Sequence, residues 1–162
     1  MKRRTVFVAL LAGLACGGQL SSAQPLPPAD VQRILVTYLE CEECQSGELQ
    51  AVVRLGDTAV APLAQFLREG PPQSTLDPLR QHVIAQYQQD VEYRNLHSLA
   101  APTMSADQTV ALYAGNFSRM YRLRAVRALG AINSANAKAA LMQAQAYNVG
   151  PDIKAAIAKA LQ

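Results

Sequence analysis

The stretch R-L-R-A-V-R-A-L-G at 122–130 has two other copies in this chain, and this recurrence decides the fold class. Shifted by 32 positions, the apolar and basic residues from 121 onward coincide with those of I-K-A-A-I-A-K-A-L at 153–161. An earlier copy is E-L-Q-A-V-V-R-L-G at 48–56. Because one unit of this size cannot bury its apolar face alone, the recurrence predicts stacked helix pairs, with Leu129 buried where two of them meet.

The N-terminus has the pattern of an export signal. A basic start, M-K-R-R, precedes the apolar run T-V-F-V-A-L-L-A-G-L-A, and small or polar residues follow as far as Ala23. A stable membrane span needs about 20 apolar residues, so the shorter run predicts a cleaved signal peptide over 1–23 and an exported, periplasmic protein. The alternative is a lipoprotein anchored at Cys16, although Gly13 stands where a leucine usually precedes such a cysteine. No later segment is apolar enough to span a bilayer.

Removal of this signal peptide leaves a neutral chain. The only charged residues before position 24 are Lys2, Arg3 and Arg4, and the rest of the chain has 12 basic and 12 acidic residues. The whole-chain pI of 8.9 therefore gives no support for nucleic-acid or membrane binding. The 139 residues after Ala23 suit one domain with its own core.

Charge is distributed unevenly along the neutral chain. Residues 24–69 have seven acidic and three basic side chains, net −4, whereas residues 119–162 have one acidic and seven basic side chains, net +6. Four arginines in this region are predicted to form a docking face for an unknown acidic protein partner; they are Arg119, Arg122, Arg124 and Arg127. The alternative is that these arginines are ordinary solvent-exposed residues. A second copy of the chain is one such partner, because its acidic first repeat could meet the basic last one.

Helical spacing of apolar residues continues along one domain, 30–162, after an extended, proline-rich lead-in at 24–29. No run alternates with period two, so the sequence predicts an all-α fold. The predicted helices lie at 30–39, at 47–55, at 57–70, irregularly around 76–100, from Ser105 through Tyr113, from about 118 where the repeat motif resumes, at 137–144, and from 148–152 onward.

Local signals set some helix bounds. Asp57 is predicted to be the N-cap of the third helix, and Ser105 with Gln108 has the spacing of a capping box. A turn is predicted from Asn133 to Asn136.

The repeat copies, together with L-G-D-T-A-V-A-P-L-A-Q-F-L at 55–67, resemble HEAT repeats of the short, alanine-rich bacterial type. The resemblance covers about two thirds of the exported chain. It implies a short α-solenoid of stacked antiparallel helix pairs, with sharp turns at Gly56 and Gly130 and a second helix at Pro62 and Leu63. It also implies a protein–protein interaction scaffold, and it brings no catalytic residues.

The motif C-E-E-C places Cys41 and Cys44 three residues apart. In a helical turn their Cα atoms would be about 5 Å apart, which a disulfide accepts, and export favours the oxidised state. The sequence therefore predicts a structural disulfide. A metal site is an open alternative, and so is a thiol-redox or redox-sensing function, although several nearby glutamates oppose thiolate formation.

Other reactive constellations are not found in the sequence. The two imidazoles, His82 and His97, would lie about 22 Å apart along one helix, so they cannot share a metal site and are expected at the surface. The aromatic residues Tyr113, Phe117 and Tyr121 recur every four residues, which favours core packing over a ligand stripe. We therefore expect no metal, no cofactor and no enzymatic activity.

Overall fold

A computed structural model of the chain describes residues 28–41 and 46–162. The helices are α1 (Pro28–Glu40), α2 (Ser46–Leu55), α3 (Val60–Glu69), α4 (Gln73–Leu96), α5 (Ala106–Ile132), α6 (Ala135–Ala144) and α7 (Pro151–Ala160), with a 3-10 turn, Gly56–Ala59, before α3. No strand occurs in these described ranges, so the predicted all-α class is confirmed. The predicted signal peptide with Cys16, most of the lead-in, and Cys44 lie outside the described residues.

Capping contacts confirm the predicted start of α5, whereas the turn predicted from Asn133 to Asn136 is shorter, because α6 already begins at Ala135. The Ser105 hydroxyl accepts a hydrogen bond from the Gln108 backbone N–H at 3.2 Å, and the Gln108 side chain accepts one from the Ser105 N–H at 2.9 Å. Asn133 ends α5 with a left-handed φ of 53°. Ser134 then caps α6 by accepting from the Ala137 N–H at 3.1 Å. Each of these bounds follows from side chains within four residues of the helix end.

The prediction that Asp57 caps the third helix is wrong. Gly56 takes a φ of +54°, as its predicted sharp turn requires, but a 3-10 turn follows and α3 begins at Val60. The Asp57 carboxylate instead accepts hydrogen bonds from the Ser134 hydroxyl and, at 2.7 Å, from the Asn136 side-chain amide. Asp57 therefore joins the start of α3 to the start of α6, a long-range contact that local sequence does not reveal.

Helix α5 runs unbroken through the two segments, 105–113 and 118 onward, that the sequence suggested were separate. The sharp turn predicted at Gly130 is also wrong, since α5 continues to Ile132. A Cβ atom at Gly130 would lie 3.0 Å from the Cβ of Ala160 in α7. Gly130 is therefore needed for the close approach of two helices and not for a turn.

The core is organised around the second half of α5, and α5 contacts each of the other six helices. Leu129 is fully buried, as the repeat alignment predicted. Tyr121 is also fully buried and meets Phe66 of α3 edge-to-face, with ring centroids 5.5 Å apart. Phe117 packs against this core, whereas Tyr113 is exposed. The prediction that these aromatic residues pack in the core is thus confirmed for Phe117 and Tyr121 and is wrong for Tyr113.

Helix α4 packs on α5, and Val83 and Tyr87 of α4 line a cleft with Thr109 and Tyr113 in the first half of α5. The two helices, joined by residues 97–105, form an antiparallel pair that we call the α4–α5 hairpin. The remaining helices, with the second half of α5, form the body. None of the helices in the described ranges is long and apolar enough to cross a membrane.

Candidate functional site

The α4–α5 hairpin is the least covered part of the described structure. No residue between Val83 and Tyr121 is buried. Eight large apolar side chains are exposed in the described ranges, and all but Met142 belong to the hairpin; these seven are Ile84, Tyr93, Leu96, Leu99, Leu112, Tyr113 and Met120. Exposed apolar side chains scattered singly are normal, but a concentration of this kind marks a candidate interaction surface.

The tip of the hairpin is held by polar contacts. The Tyr87 hydroxyl donates to the Met104 carbonyl oxygen at 3.1 Å, and Arg94 donates both to Asp90 at 2.7 Å and to the Ala100 carbonyl oxygen at 3.1 Å. These contacts attach the connection 97–105 to α4. A cleft of about 500 Å³ lies between α4, this connection and α5. The exposed apolar side chains are therefore presented by an ordered pair of helices.

In helix α4 a row of residues with alternating spacing of three and four is exposed or half-buried; its members are Leu79, His82, Gln86, Gln89, Tyr93 and Leu96. In helix α5 such a row comprises Thr109, Tyr113, Asn116 and Met120. Gln86 lines the cleft together with Thr109 and Tyr113.

Two of the four arginines predicted to bind a partner point towards the ends of other helices. Arg124 donates from Nη1 to the Leu39 carbonyl oxygen at 2.8 Å, in the last turn of α1. The Nη2 atom of Arg122 lies 3.5 Å from the Arg68 carbonyl oxygen, in the last turn of α3. Because the last carbonyl groups of a helix have no partner within it, both contacts complete helix ends inside the body.

The other two arginines have different surroundings. Arg119 forms an ion pair with Asp152 in the first turn of α7, with Nε 2.5 Å from Oδ2. Arg127 is exposed. The four guanidinium groups therefore have different surroundings, and their predicted role in partner binding stays a prediction.

Two buried phenols have perturbed acidity. Burial raises the pKa of Tyr121, and the negative charge of Glu40 raises it further. Burial also raises the pKa of Tyr38, while the positive charges of Arg127 and Arg124 act in the opposite direction. The Tyr121 hydroxyl is buried without a hydrogen-bond partner among the described residues. Both phenols remain neutral at physiological pH, which suits structural roles and not general-base chemistry.

Of the two cysteines in the predicted disulfide, the structure describes only Cys41. The Sγ atom of Cys41 is half-buried and lies 2.9 Å from the Tyr38 carbonyl oxygen, but Cys44 is outside the described residues. The disulfide and its redox and metal alternatives therefore stay predictions. Within the described ranges, no three His, Cys, Asp or Glu side chains are grouped so that they could hold a metal ion. His82 and His97 are exposed, as expected.

Sequence reasoning did not identify the hairpin as a surface. The spacing of three and four from Leu79 to Leu96 was available in the sequence, but its polar members, among them Gln86 and Gln89, masked it. That α4 would pair with α5 and leave this row uncovered depends on tertiary packing. Comparisons of the chain with protein-family models, with curated proteins and with solved structures find no match.

Proposed function

We propose that this protein is an exported module that binds a protein partner, and that the α4–α5 hairpin is its docking element. The observation that carries the proposal is the run from Ile84 to Met120, which has no buried residue and holds seven of the eight exposed large apolar side chains of the described structure. A pair of helices without a core of its own gains little from tertiary packing, which normally supplies most of a helix's stability. Covering the hairpin with a partner would supply that packing.

The body supports the scaffold part of the proposal, in which the helices form a short solenoid of HEAT-repeat type. Two pairs of positions that the repeat alignment treats as equivalent are buried alike, Tyr121 with Ile153 and Ala125 with Ile157. Another pair differs, since Val126 is buried and Ala158 is exposed. In a linear array each repeat contacts only its neighbours, whereas α5 contacts all the other helices. The proposed array therefore differs from a linear solenoid, because it is short and its helices all pack around α5. Export is proposed from the N-terminal pattern alone.

Site-specific photo-cross-linking in the cells that produce the protein tests the docking role. A photoreactive phenylalanine analogue would replace Tyr113 on the hairpin in one variant and Met142 on α6 in a matched control, since both side chains are more than half exposed. We expect a discrete protein adduct from position 113 only, and we expect Met120→Glu in the same chain to abolish it. Absence of an adduct from position 113, or the same adducts from both positions, would refute the proposal.

A further inference from the structure

We infer that the groove between α5 and α7 is a second docking site, which binds a short acidic segment of a protein partner through carboxylates and one apolar side chain. The groove lies on the body, so the inference goes beyond the proposed function and does not depend on it. Three features support it: the basic edges of the groove, its apolar floor and its open shape.

The first feature is a pair of basic side chains at the edges of the groove. Arg127 of α5 and Lys159 of α7 both line it, and both are exposed. They occupy the same position in two copies of the repeat motif, 32 residues apart, so the two helices each direct a cation to the same groove. Neither side chain forms an ion pair with a described residue.

The charges around the groove favour an acidic ligand. None of the residues that line it is acidic. Asp152, the one acidic residue of the basic C-terminal region, is already paired with Arg119. The side chains of Arg122 and Arg124 are directed to carbonyl groups at the ends of α3 and α1. Of the four predicted docking arginines, Arg127 is therefore the one whose charge is left for the carboxylate of a partner.

The second feature is the apolar floor between the two basic side chains. Its members are Leu123, Val126, Ala156 and Ala160. Gly130 lets the two helices approach closely, since a Cβ atom there would lie 3.0 Å from the Cβ of Ala160. The groove has a volume of about 490 Å³. An apolar side chain seated on this floor would be removed from water together with the floor itself, which favours binding.

The third feature is the open shape of the groove, which favours a peptide over a small molecule. Sites for small molecules enclose most of the surface of the ligand, whereas both edges of this groove are exposed side chains. From Leu123 to Gly130 the groove follows α5 for about 10 Å, which is the length of about three extended residues. A segment of that length seats one apolar side chain on the floor, and acidic residues on either side of it reach Arg127 and Lys159.

The test is a selection of random displayed peptides on the purified exported chain, followed by affinity measurements on the selected peptides by fluorescence anisotropy. Lys159→Glu reverses one charge of the groove, and Lys154→Glu is the matched control, because both lysines are exposed on α7 and only Lys159 lines the groove. Ala156→Leu fills the floor, and Ala155→Leu is its control at the adjacent exposed position. Circular dichroism would verify that each variant retains its helix content.

We expect the selected peptides to combine acidic residues with a large apolar residue. They should bind about fivefold more weakly, or worse, to Lys159→Glu and to Ala156→Leu than to the unmodified chain, because each variant removes one half of the recognition. Both controls should bind like the unmodified chain, and added salt should weaken binding to all of them.

Three outcomes would overturn the inference. The first is that no peptide is selected, or that the selected peptides bind both groove variants as well as the unmodified chain. The second is that the peptides lack acidic residues and lose affinity in Met120→Glu, a result that would agree with docking at the hairpin alone. The third is that laurate, a carboxylate with an apolar chain, binds the groove while no acidic peptide does.

Discussion

Replacing Tyr121 by phenylalanine should leave the protein at least as stable at neutral pH and make it clearly more stable at alkaline pH. The Tyr121 side chain is fully buried, and its hydroxyl has no hydrogen-bond partner among the described residues. A buried hydroxyl without a partner costs about 1–3 kcal/mol of desolvation. Tyr121→Phe removes that cost and keeps the ring against Phe66, so the free energy of unfolding should rise by about 0–2 kcal/mol near pH 7.

The alkaline part of the prediction follows from linkage. Burial, and then the charge of Glu40, raise the pKa of Tyr121 above its ordinary value. The unfolded chain therefore loses this proton near pH 10 while the folded chain keeps it. The stability contributed by the neutral phenol is complete below that pH and is lost above it, at about 1.4 kcal/mol per pH unit. Near pH 11 the unmodified protein should have lost about 1.4 kcal/mol that Tyr121→Phe retains.

Urea denaturation monitored by circular dichroism, at several pH values from neutral to alkaline, measures both effects. The comparison is made between variants at each pH, so the titration of Tyr38 and other shared groups cancels. Tyr87→Phe is the control, because the Tyr87 hydroxyl does donate a hydrogen bond, to the Met104 carbonyl oxygen at 3.1 Å. It should destabilise the protein by about 0.5–1.5 kcal/mol. A clear loss of stability in Tyr121→Phe at neutral pH, or a difference that does not grow above pH 10, would refute the reasoning.

Substitutions at two further positions test the body. Leu129→Ala should lower the free energy of unfolding by about 2–5 kcal/mol, because it leaves a cavity in the fully buried contact between repeat helices; an unchanged thermal melt would contradict the repeat alignment. Arg124→Met should cost about 1–3 kcal/mol in chemical denaturation, because it removes the charged donor from the Leu39 carbonyl group. Arg124→Lys, which can keep one donor, should cost less, and equal losses for the two variants would argue against this hydrogen bond.

The parts of the fold that depend on neighbouring residues were predictable. The Ser105 capping box, the turn at Gly56 and the start of α7 at Pro151 each follow from residues adjacent in sequence. The repeat alignment also anticipated the burial of Leu129, although the equivalent Leu55 and Leu161 are only partly buried.

The parts that depend on packing between distant segments were not predictable. Asp57 has the composition and position of an N-cap, but Ser134 and Asn136, which lie more than 70 residues away, compete for its carboxylate. A glycine at position 130 is compatible both with a turn and with a close contact between helices. The position of Ala160 against it shows that the close contact is the reason for this glycine. The same holds for the arginines, whose clustering in sequence does not fix which carbonyl groups they meet. The candidate docking surface depends on which rows remain uncovered, and that is a property of the assembled fold.

The continuity of α5 has a mechanical consequence. Its 27 residues form one rod about 40 Å long, shared by the hairpin and the body. Uninterrupted backbone hydrogen bonding along the rod leaves no joint between Met120 at the surface and Tyr121 in the core. A partner held at the tip would therefore be carried at a set angle to the body, and little orientational freedom would be lost on binding. Because α5 is continuous, a force applied to the connection between α4 and α5 would be transmitted along the helix to the aromatic contacts around Tyr121.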